Sequence, residues 1–100
     1  MDYQVVLSAS ARADLRNIVR YISLDAPDRA FQFGMFLISR TRLLARSPEL
    51  GRVVPEFEDP AVREIIIHSY RVVYRLDDLN HSVELIRFWH AARDVPEMER

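Results

Sequence analysis

The chain has 100 residues, of which 14 are arginine and none is lysine, and its 15 acids leave a net charge of -1. A hydrophobic fraction of 49% is too high for a disordered chain and sufficient for one packed core, so residues 1–100 are predicted to form a single domain. The absence of cysteine excludes disulfides and thiol chemistry, and the near-neutral charge argues against a protein that binds nucleic acid through its phosphates.

The N-terminal half predicts one strand and two helices. Residues 3–7 are a short β-branched run, and Ser8 or Ser10 is placed to cap the helix that follows. Pro27 suits the first turn of a second helix, predicted over residues 27–46 and ended before Pro48. The apolar residues of this second helix fall in two stripes, Ala30-Phe33-Leu37-Leu44 and Phe31-Met35-Ile38. Two stripes predict burial on two sides, against the first helix and against a sheet.

The C-terminal half predicts a connection followed by three strands. Residues 47–60 contain three prolines and no clear period, so we expect a connection in which Gly51 adopts a positive φ. β-Branched or alternating residues predict strands over 62–68, 70–77 and 83–90. Short loops between them favour an antiparallel meander. The chain is therefore predicted to be an α+β domain of order βααβββ, with a two-helix hairpin on one face of a mainly antiparallel sheet.

Apolar residues lie on both faces of the last predicted strand. Val83, Leu85 and Trp89 have one parity, while Ile86 and Phe88 have the other. Because one helical layer covers one face of a sheet, either the strand bulges or the second face is also covered. In a chain of this size, we expect that cover to be a partner protein.

Arginines of the predicted strands are candidate binding residues. Arg71 and Arg75 share a strand face, about 13 Å apart, and Arg63 and Arg87 on neighbouring strands are candidates to join them. Such arginines either pair with acids of their own chain, Glu64, Asp77, Asp78 or Glu84, or offer guanidinium forks to acidic groups of a partner. The stretch RFWHAARDV, residues 87–95, adds Trp89, His90 and Arg93 to this set. Tryptophan and arginine are enriched among interface hot spots, although Trp89 is equally suited to the core.

Other kinds of site have little support in the sequence. The histidines at positions 68, 81 and 90 have neither helical i, i+4 spacing nor a neighbouring thiol, so we expect no metal. Gly34 and Gly51 are isolated and form no phosphate-binding loop, and Gly34 instead predicts a close approach of the first helix to the second. We expect no cofactor. The N-terminus lacks the basic and apolar regions of a signal peptide, and no apolar run spans a membrane, which favours a cytoplasmic protein.

Three stretches, taken with the order of the elements, resemble the ParE branch of the RelE/ParE toxin superfamily. They are ASARADLRNIVRYI, SPELGRVVPEF, and VREIIIHSYRVVYRL followed by VELIRFWHAARD, which ends in a histidine, two small residues and an arginine. The resemblance implies a RelE/ParE-like fold over the whole chain and a toxin of a type II toxin–antitoxin pair. It also implies a hetero-oligomer with a cognate antitoxin, encoded by a short neighbouring gene, whose C-terminal segment wraps and silences the toxin.

The resemblance leaves two activities open. Toxins of ParE type are described as inhibiting DNA gyrase by binding, whereas their RelE-type relatives cleave messenger RNA on the ribosome. Cleavage by the RNA's own 2′-hydroxyl needs a base, an acid and cations, and here the candidates are His90, Arg87 and Arg71. Since the chain has no lysine and no tyrosine after Tyr74, we favour a gyrase-binding toxin without catalysis or sequence-specific nucleic-acid binding. The alternatives are a ribosome-dependent endoribonuclease and a non-toxic homologue that binds antitoxin.

Overall fold

Two helices pack on one face of a five-stranded sheet in the computed structural model, which describes residues 2–91. The elements in chain order are β1 (Gln4–Leu7), α1 (Ala9–Ser23), α2 (Pro27–Thr41), a 3₁₀ helix (Arg42–Ala45), β2 (Arg52–Val53), β3 (Val62–Ile67), β4 (Tyr70–Asp77) and β5 (Ser82–His90). The predicted α+β arrangement is confirmed, with the short strand β2 added inside the predicted connection.

The sheet has the strand order β1-β5-β4-β3-β2. Strands β3, β4 and β5 form the predicted antiparallel meander, and β2 adds to its edge antiparallel to β3. β1 runs parallel to β5, from the pair Gln4 and Ser82 to the pair Leu7 and Leu85. Parallel neighbours need a long crossover, and the two helices with the meander supply it.

Local chemistry sets the ends of the helices. Ser8 is the N-cap of α1, and its hydroxyl accepts a hydrogen bond of 3.0 Å from the Ala11 backbone N–H. Pro27 occupies the first turn of α2, as predicted. The α-helix ends at Thr41, whose hydroxyl donates to the Ile38 carbonyl, and the predicted continuation to residue 46 is a 3₁₀ helix. Neither helix is of a length and apolarity that would cross a bilayer.

The two helices approach closely at Gly34, which is buried. A Cβ added there would lie 2.9 Å from the Val19 side chain, so the predicted close approach of α1 is present. The second apolar stripe of α2 behaves differently from the prediction, since Phe31 is 68% exposed and Met35 is 49% exposed. Burial on two sides is therefore wrong for this stripe, because within residues 2–91 no element covers that side of α2.

A main core lies between the helices and the sheet, and a smaller one lies on the opposite face. The main core contains Ala11, Ile18, Leu37, Leu44, Ile67, Val72, Tyr74, Val83, Leu85 and Phe88. On the opposite face, Val62 and Val73 are covered by Val54 and Phe57 of the segment that joins β2 to β3. The expectation that a partner must cover this face is thus wrong over its centre, because the chain's own connection folds onto it.

A β-bulge accounts for the mixed parity of β5. Val73 is opposite Arg87, whereas the next residue, Tyr74, is opposite Leu85, so Ile86 is the extra residue of the bulge. The bulge lets both Leu85 and Phe88 point into the main core. Of the two predicted explanations, the bulge is observed in β5, whereas the cover of the second face lies over Val62 of β3 and Val73 of β4.

Gly51 is required for close packing and not for its backbone angle. Its φ is not positive, which contradicts the prediction. A Cβ at this position would lie 2.4 Å from the Glu64 carbonyl oxygen and 2.7 Å from the Tyr74 hydroxyl. The Tyr74 hydroxyl is buried there, accepts from the Gly51 N–H at 2.9 Å and donates to the Pro48 carbonyl at 2.7 Å. The predicted connection is thus fixed to the sheet by one buried tyrosine.

Candidate binding surface

Arg71 belongs to a buried ion-pair network on the sheet face opposite the helices. Its Nε donates to Glu64 Oε1 at 2.6 Å, and a terminal nitrogen is 3.2 Å from Glu56. The other oxygen of Glu64 is bound by Arg52 at 2.7 Å. Burial lowers the pKa of the Arg71 guanidinium, but its hydrogen bonds and ion pairs with Glu64 and Glu56 outweigh burial and raise that pKa overall. Arg71 is therefore a structural cation, held by acids of its own chain.

Arg75 and Arg63, which were candidates to share a surface with Arg71, lie in different environments. Arg75 is on the same face and pairs with Asp59 at 2.7 Å, with 40% of its side chain exposed. Arg63 is opposite Tyr74 in the register and therefore lies on the helix face, where it donates to the Gly51 carbonyl. The prediction that Arg63 joins the arginine face is wrong, because its parity along β3 places it on the other side.

Asp77 and Asp78, which were also expected to pair with these arginines, instead accept hydrogen bonds from other residues near the β4–β5 turn. The Asn80 side chain and backbone donate to Asp77, which lowers the pKa of that carboxyl. The Tyr3 hydroxyl donates to Asp78 at 2.6 Å, and this bond is the main reason that the pKa of Tyr3 is raised. Of the acids named from sequence, Glu64 is the one that pairs with strand arginines within residues 2–91, because its cross-strand position faces Arg52 and lies beside Arg71.

Arg87 joins β5 to α1. It forms two hydrogen bonds with the Asp14 carboxylate, at 2.7 Å and 3.0 Å. The same carboxylate accepts from the Phe88 backbone N–H, at a point on β5 beyond the end of β1. The Arg87 guanidinium also lies 4.7 Å from the centre of the Trp89 ring. Asp14 thus satisfies an open strand edge and Arg87 neutralises its charge, a role that the sequence position of Arg87 alone did not indicate.

His90 lies on the helix side of the sheet. It is opposite Tyr70, their rings meet edge to face at 5.3 Å, and both line a cavity of about 540 Å³ with Asp14, Asn17, Ile18, Tyr21 and Phe88. Arg71 is opposite Trp89 and therefore lies on the other side of the sheet. The three residues considered for a nuclease, His90, Arg87 and Arg71, are thus not gathered into one site. Arg93, the remaining candidate, lies outside the described residues.

A groove that the sequence analysis did not identify runs along β3. β2 pairs with β3 only at Arg63 and Glu64, so the outer edge of Ile65–Ile67 has no strand beside it within the described part of the chain. The groove has a volume of about 320 Å³, and its exposed apolar residues are Leu43, Leu50 and Ile66, at 45%, 57% and 58%. Arg40 and Arg52 lie among its lining residues. The signal in the sequence was the triplet Ile65-Ile66-Ile67, in which one isoleucine must face away from the core.

A site for a metal ion has no support in this geometry. Within residues 2–91, no three histidine, aspartate or glutamate side chains are grouped closely enough to hold one. The charged groups that do converge are arginine–carboxylate pairs. The surface that these residues offer is therefore suited to polypeptide contacts through apolar side chains and guanidinium groups.

Comparison with known proteins gives one family and a common fold. The family model of the ParE toxin of type II toxin–antitoxin system, parDE, matches residues 5–95. A chain of the chromosomal ParDE toxin–antitoxin system from P. aeruginosa superposes with a TM-score of 0.74 at 18% identity, over 88% of this chain and 95% of that one. A chain of the toxin–antitoxin complex RelBE2 from Mycobacterium tuberculosis superposes with a TM-score of 0.58 at 25% identity, over 90% of this chain and 99% of that one. No curated protein sequence matches the chain.

Proposed function

This chain belongs to the family of ParE toxins of type II toxin–antitoxin systems, and on that premise we propose that it inhibits DNA gyrase by binding and is neutralised by a cognate antitoxin. We also propose that it acts in the cytoplasm, where gyrase and DNA are found. Both solved relatives described above come from toxin–antitoxin systems, which supports an antitoxin as a physical partner.

The observation that carries a binding role is the separation of His90 from Arg71 by the sheet. A nuclease of the RelE type needs a proton-transfer group and cations around one phosphate. Here Arg71 and Arg87 each bind a carboxylate of the chain, and His90 lies on the helix side of the sheet, away from Arg71. The net charge of -1 also gives little attraction to phosphate-rich RNA. These features favour inhibition by binding over catalysis.

The direct test is a supercoiling assay with purified gyrase and the full chain. We expect loss of supercoiling and trapped cleavage complexes, both reversed by adding the antitoxin. Unaltered supercoiling at a large excess of folded toxin would contradict the gyrase target. Normal growth during strong expression of the folded chain would instead identify a non-toxic homologue.

Likeness to a RelBE2 chain makes messenger RNA cleavage the competing activity. Primer extension on translated messages after induction distinguishes the two, since a nuclease leaves cuts positioned by codons. We expect intact messages from the wild type and from His90→Ala alike. Cuts that disappear in His90→Ala would reject the binding mechanism and restore the catalytic one.

For the antitoxin we propose an extended segment with apolar and acidic residues, lying in the groove beside β3. The unpaired edge of Ile65–Ile67 offers backbone groups to an added strand, while Leu43 and Leu50 supply apolar contacts. Arg40 and Arg52 supply positive charge at the same groove. Arg75, which remains 40% exposed, and Trp89 are proposed as further contacts on the adjoining face.

The groove is tested with Ile66→Glu, which places a carboxylate among the proposed apolar contacts. We expect antitoxin affinity, measured by calorimetry, to fall by about 2 kcal/mol or more, as for truncation of an interface hot spot. The matched control is Leu79→Glu, because Leu79 is 98% exposed in the turn between β4 and β5. Arg75→Glu is expected to weaken binding as well. Wild-type affinity for Ile66→Glu would exclude the groove.

A further inference from the structure

The outer face of α2 carries an apolar seam that the chain does not cover. Phe31 and Met35 are 68% and 49% exposed. With Ile38 they recur at alternating spacings of four and three residues, which is the spacing of helices that pair along their length. The buried residues of this helix, Ala30, Gly34, Leu37 and Thr41, lie on its other side. The seam is thus placed for contact with a second molecule.

Opposite charges stand at the two ends of the seam. Asp28 lies seven residues before Met35 and Arg42 seven residues after it, so all three share one heptad position. The two charges are about 21 Å apart along the axis at a rise of 1.5 Å per residue. Both side chains are exposed, and among the described residues neither takes part in a recorded ion pair. Their charges therefore remain available to a partner.

We propose that two copies of this chain dimerise through this face, with their α2 helices antiparallel and crossing at Met35. In a two-fold symmetric interface, each contact occurs twice with the roles of the copies exchanged. An axis through Met35 places Asp28 of each copy beside Arg42 of the other, and Phe31 beside Ile38. Parallel pairing would instead set Asp28 against Asp28 and Arg42 against Arg42. The charges thus select the antiparallel arrangement.

The dimer face is distinct from the groove beside β3. Arg40, which lines that groove, follows Met35 by five residues and so points about 140° away from it around the helix axis. A dimer centred on Met35 therefore approaches the groove at its end, where Arg42 immediately precedes Leu43. The inference does not depend on the identity of the toxin's target, and the two proposals are tested by different variants.

Charge reversal tests the arrangement. Sedimentation velocity on the purified full chain, over a range of concentrations, is expected to show a monomer–dimer equilibrium. Asp28→Arg and Arg42→Asp are each expected to weaken dimerisation at least about tenfold, since each creates two like-charge contacts. The double variant is expected to restore the affinity to within about threefold. The control is Arg29→Asp, an exposed arginine of the same helix about 120° from the seam.

Each of the following outcomes would overturn the proposal. One is a monomer at every concentration, with Met35→Arg behaving as wild type. Another is a dimer whose affinity the double variant fails to restore. The third is that the single reversals weaken antitoxin binding instead of dimerisation, in which case the seam belongs to the antitoxin. Circular dichroism of each variant confirms that α2 is retained, as expected for changes at exposed positions.

Discussion

The carboxylate of Glu64 is held between two guanidinium groups, with its side chain fully buried. Arg52 and Arg71 each bind one of its oxygens, and the Arg71 side chain is itself only 12% exposed. We expect Glu64→Gln to destabilise the fold by about 3 kcal/mol, because the change leaves Arg71 buried without its main counter-charge. Chemical denaturation of the two proteins at neutral pH measures this difference.

The matched comparison is Asp59→Asn, which removes the partner of Arg75. Both side chains of that pair are about 40% exposed, at 40% and 41%. Exposed pairs contribute about 1 kcal/mol at most, so this variant is expected to remain close to wild type. Equal losses from the two variants would mean that burial of Glu64 does not determine the strength of its network.

Tyr74 gives the molecule a sensitivity to alkaline pH. Burial raises the pKa of its hydroxyl, partly opposed by the Gly51 N–H and the charge of Arg63. A pKa raised by folding gives stability that is complete below the unfolded value, about 10, and is lost as pH rises through the folded value. We expect the free energy of unfolding to fall above about pH 10.

Two phenylalanine variants separate this effect from other tyrosines. Tyr74→Phe is expected to cost about 1–3 kcal/mol at neutral pH, since it leaves the Gly51 N–H without its acceptor. It should also flatten the alkaline decline. Tyr3→Phe removes an exposed hydroxyl whose pKa is raised by Asp78, and it should leave most of the decline in place. A decline of unchanged slope in Tyr74→Phe would contradict the assignment.

At the scale of single residues, the sequence identifies the strand arginines that form contacts but not the partner of each one. Alternation along β4 placed Arg71 and Arg75 on one face, and this is observed. Which face Arg63 occupies depends on the β3–β4 register, and Asp14 meets Arg87 only because α1 crosses the end of β5. The contact between Asp14 and Arg87 joins residues 73 positions apart. It is determined by tertiary packing, which the local periodicity of the sequence does not reveal.

Among the elements, the periodic ones were predictable and the irregular ones were not. β4 has the predicted bounds because strict alternation and flanking turns define it. β2 is two residues long, too short for any period, and the contacts that hold it against β3 include the hydrogen bond of Gly51 to Tyr74 and that of Arg52 to Glu64. Periodicity predicts burial of the exposed stripe of α2, because it detects apolar faces without showing what covers them.

Replacing each of the two glycines by alanine is expected to change the free energy of unfolding by a different amount. At Gly51 a Cβ would meet a backbone carbonyl and the fixed Tyr74 hydroxyl, neither of which moves without disturbing the sheet. Gly51→Ala is therefore expected to destabilise by about 3 kcal/mol or more. At Gly34 the contact is one methyl of Val19, and alanine gains about 1 kcal/mol in helix propensity. Gly34→Ala is expected to lie within about 1 kcal/mol of wild type in thermal and denaturant unfolding.

Across the whole molecule, each face of the sheet has a different neighbour. The helices cover one face, while the segment from Val54 to Phe57 covers the centre of the other. Among the exposed apolar residues, Leu43, Leu50 and Ile66 lie at the edge beside β3, and Phe31 and Met35 lie on the outside of α2. The apolar residues on both faces of the last strand predict a partner on the second sheet face, and the chain's own connection covers the centre of that face. The packing of a short connection onto its own sheet depends on tertiary contacts and leaves no periodic pattern in the sequence.

The net charge of the whole molecule gives a way to distinguish inhibition by binding from nuclease action. With 14 arginines against 15 acids, the chain has no excess of positive charge to displace counterions from a phosphate chain, and the strand arginines Arg71 and Arg87 are paired with internal carboxylates. We expect fluorescence anisotropy with a short single-stranded RNA to show no binding below about 100 μM at about 150 mM salt, the weak end of non-specific affinity. The control is Glu84→Arg with Asp78→Arg, which raises the net charge from -1 by four, to +3, at exposed positions and should bind more tightly with a steeper salt dependence. Wild-type binding that is tight and as salt-dependent as the control's would show that the arginines remain free to hold phosphates, and would favour an RNA substrate over a protein target.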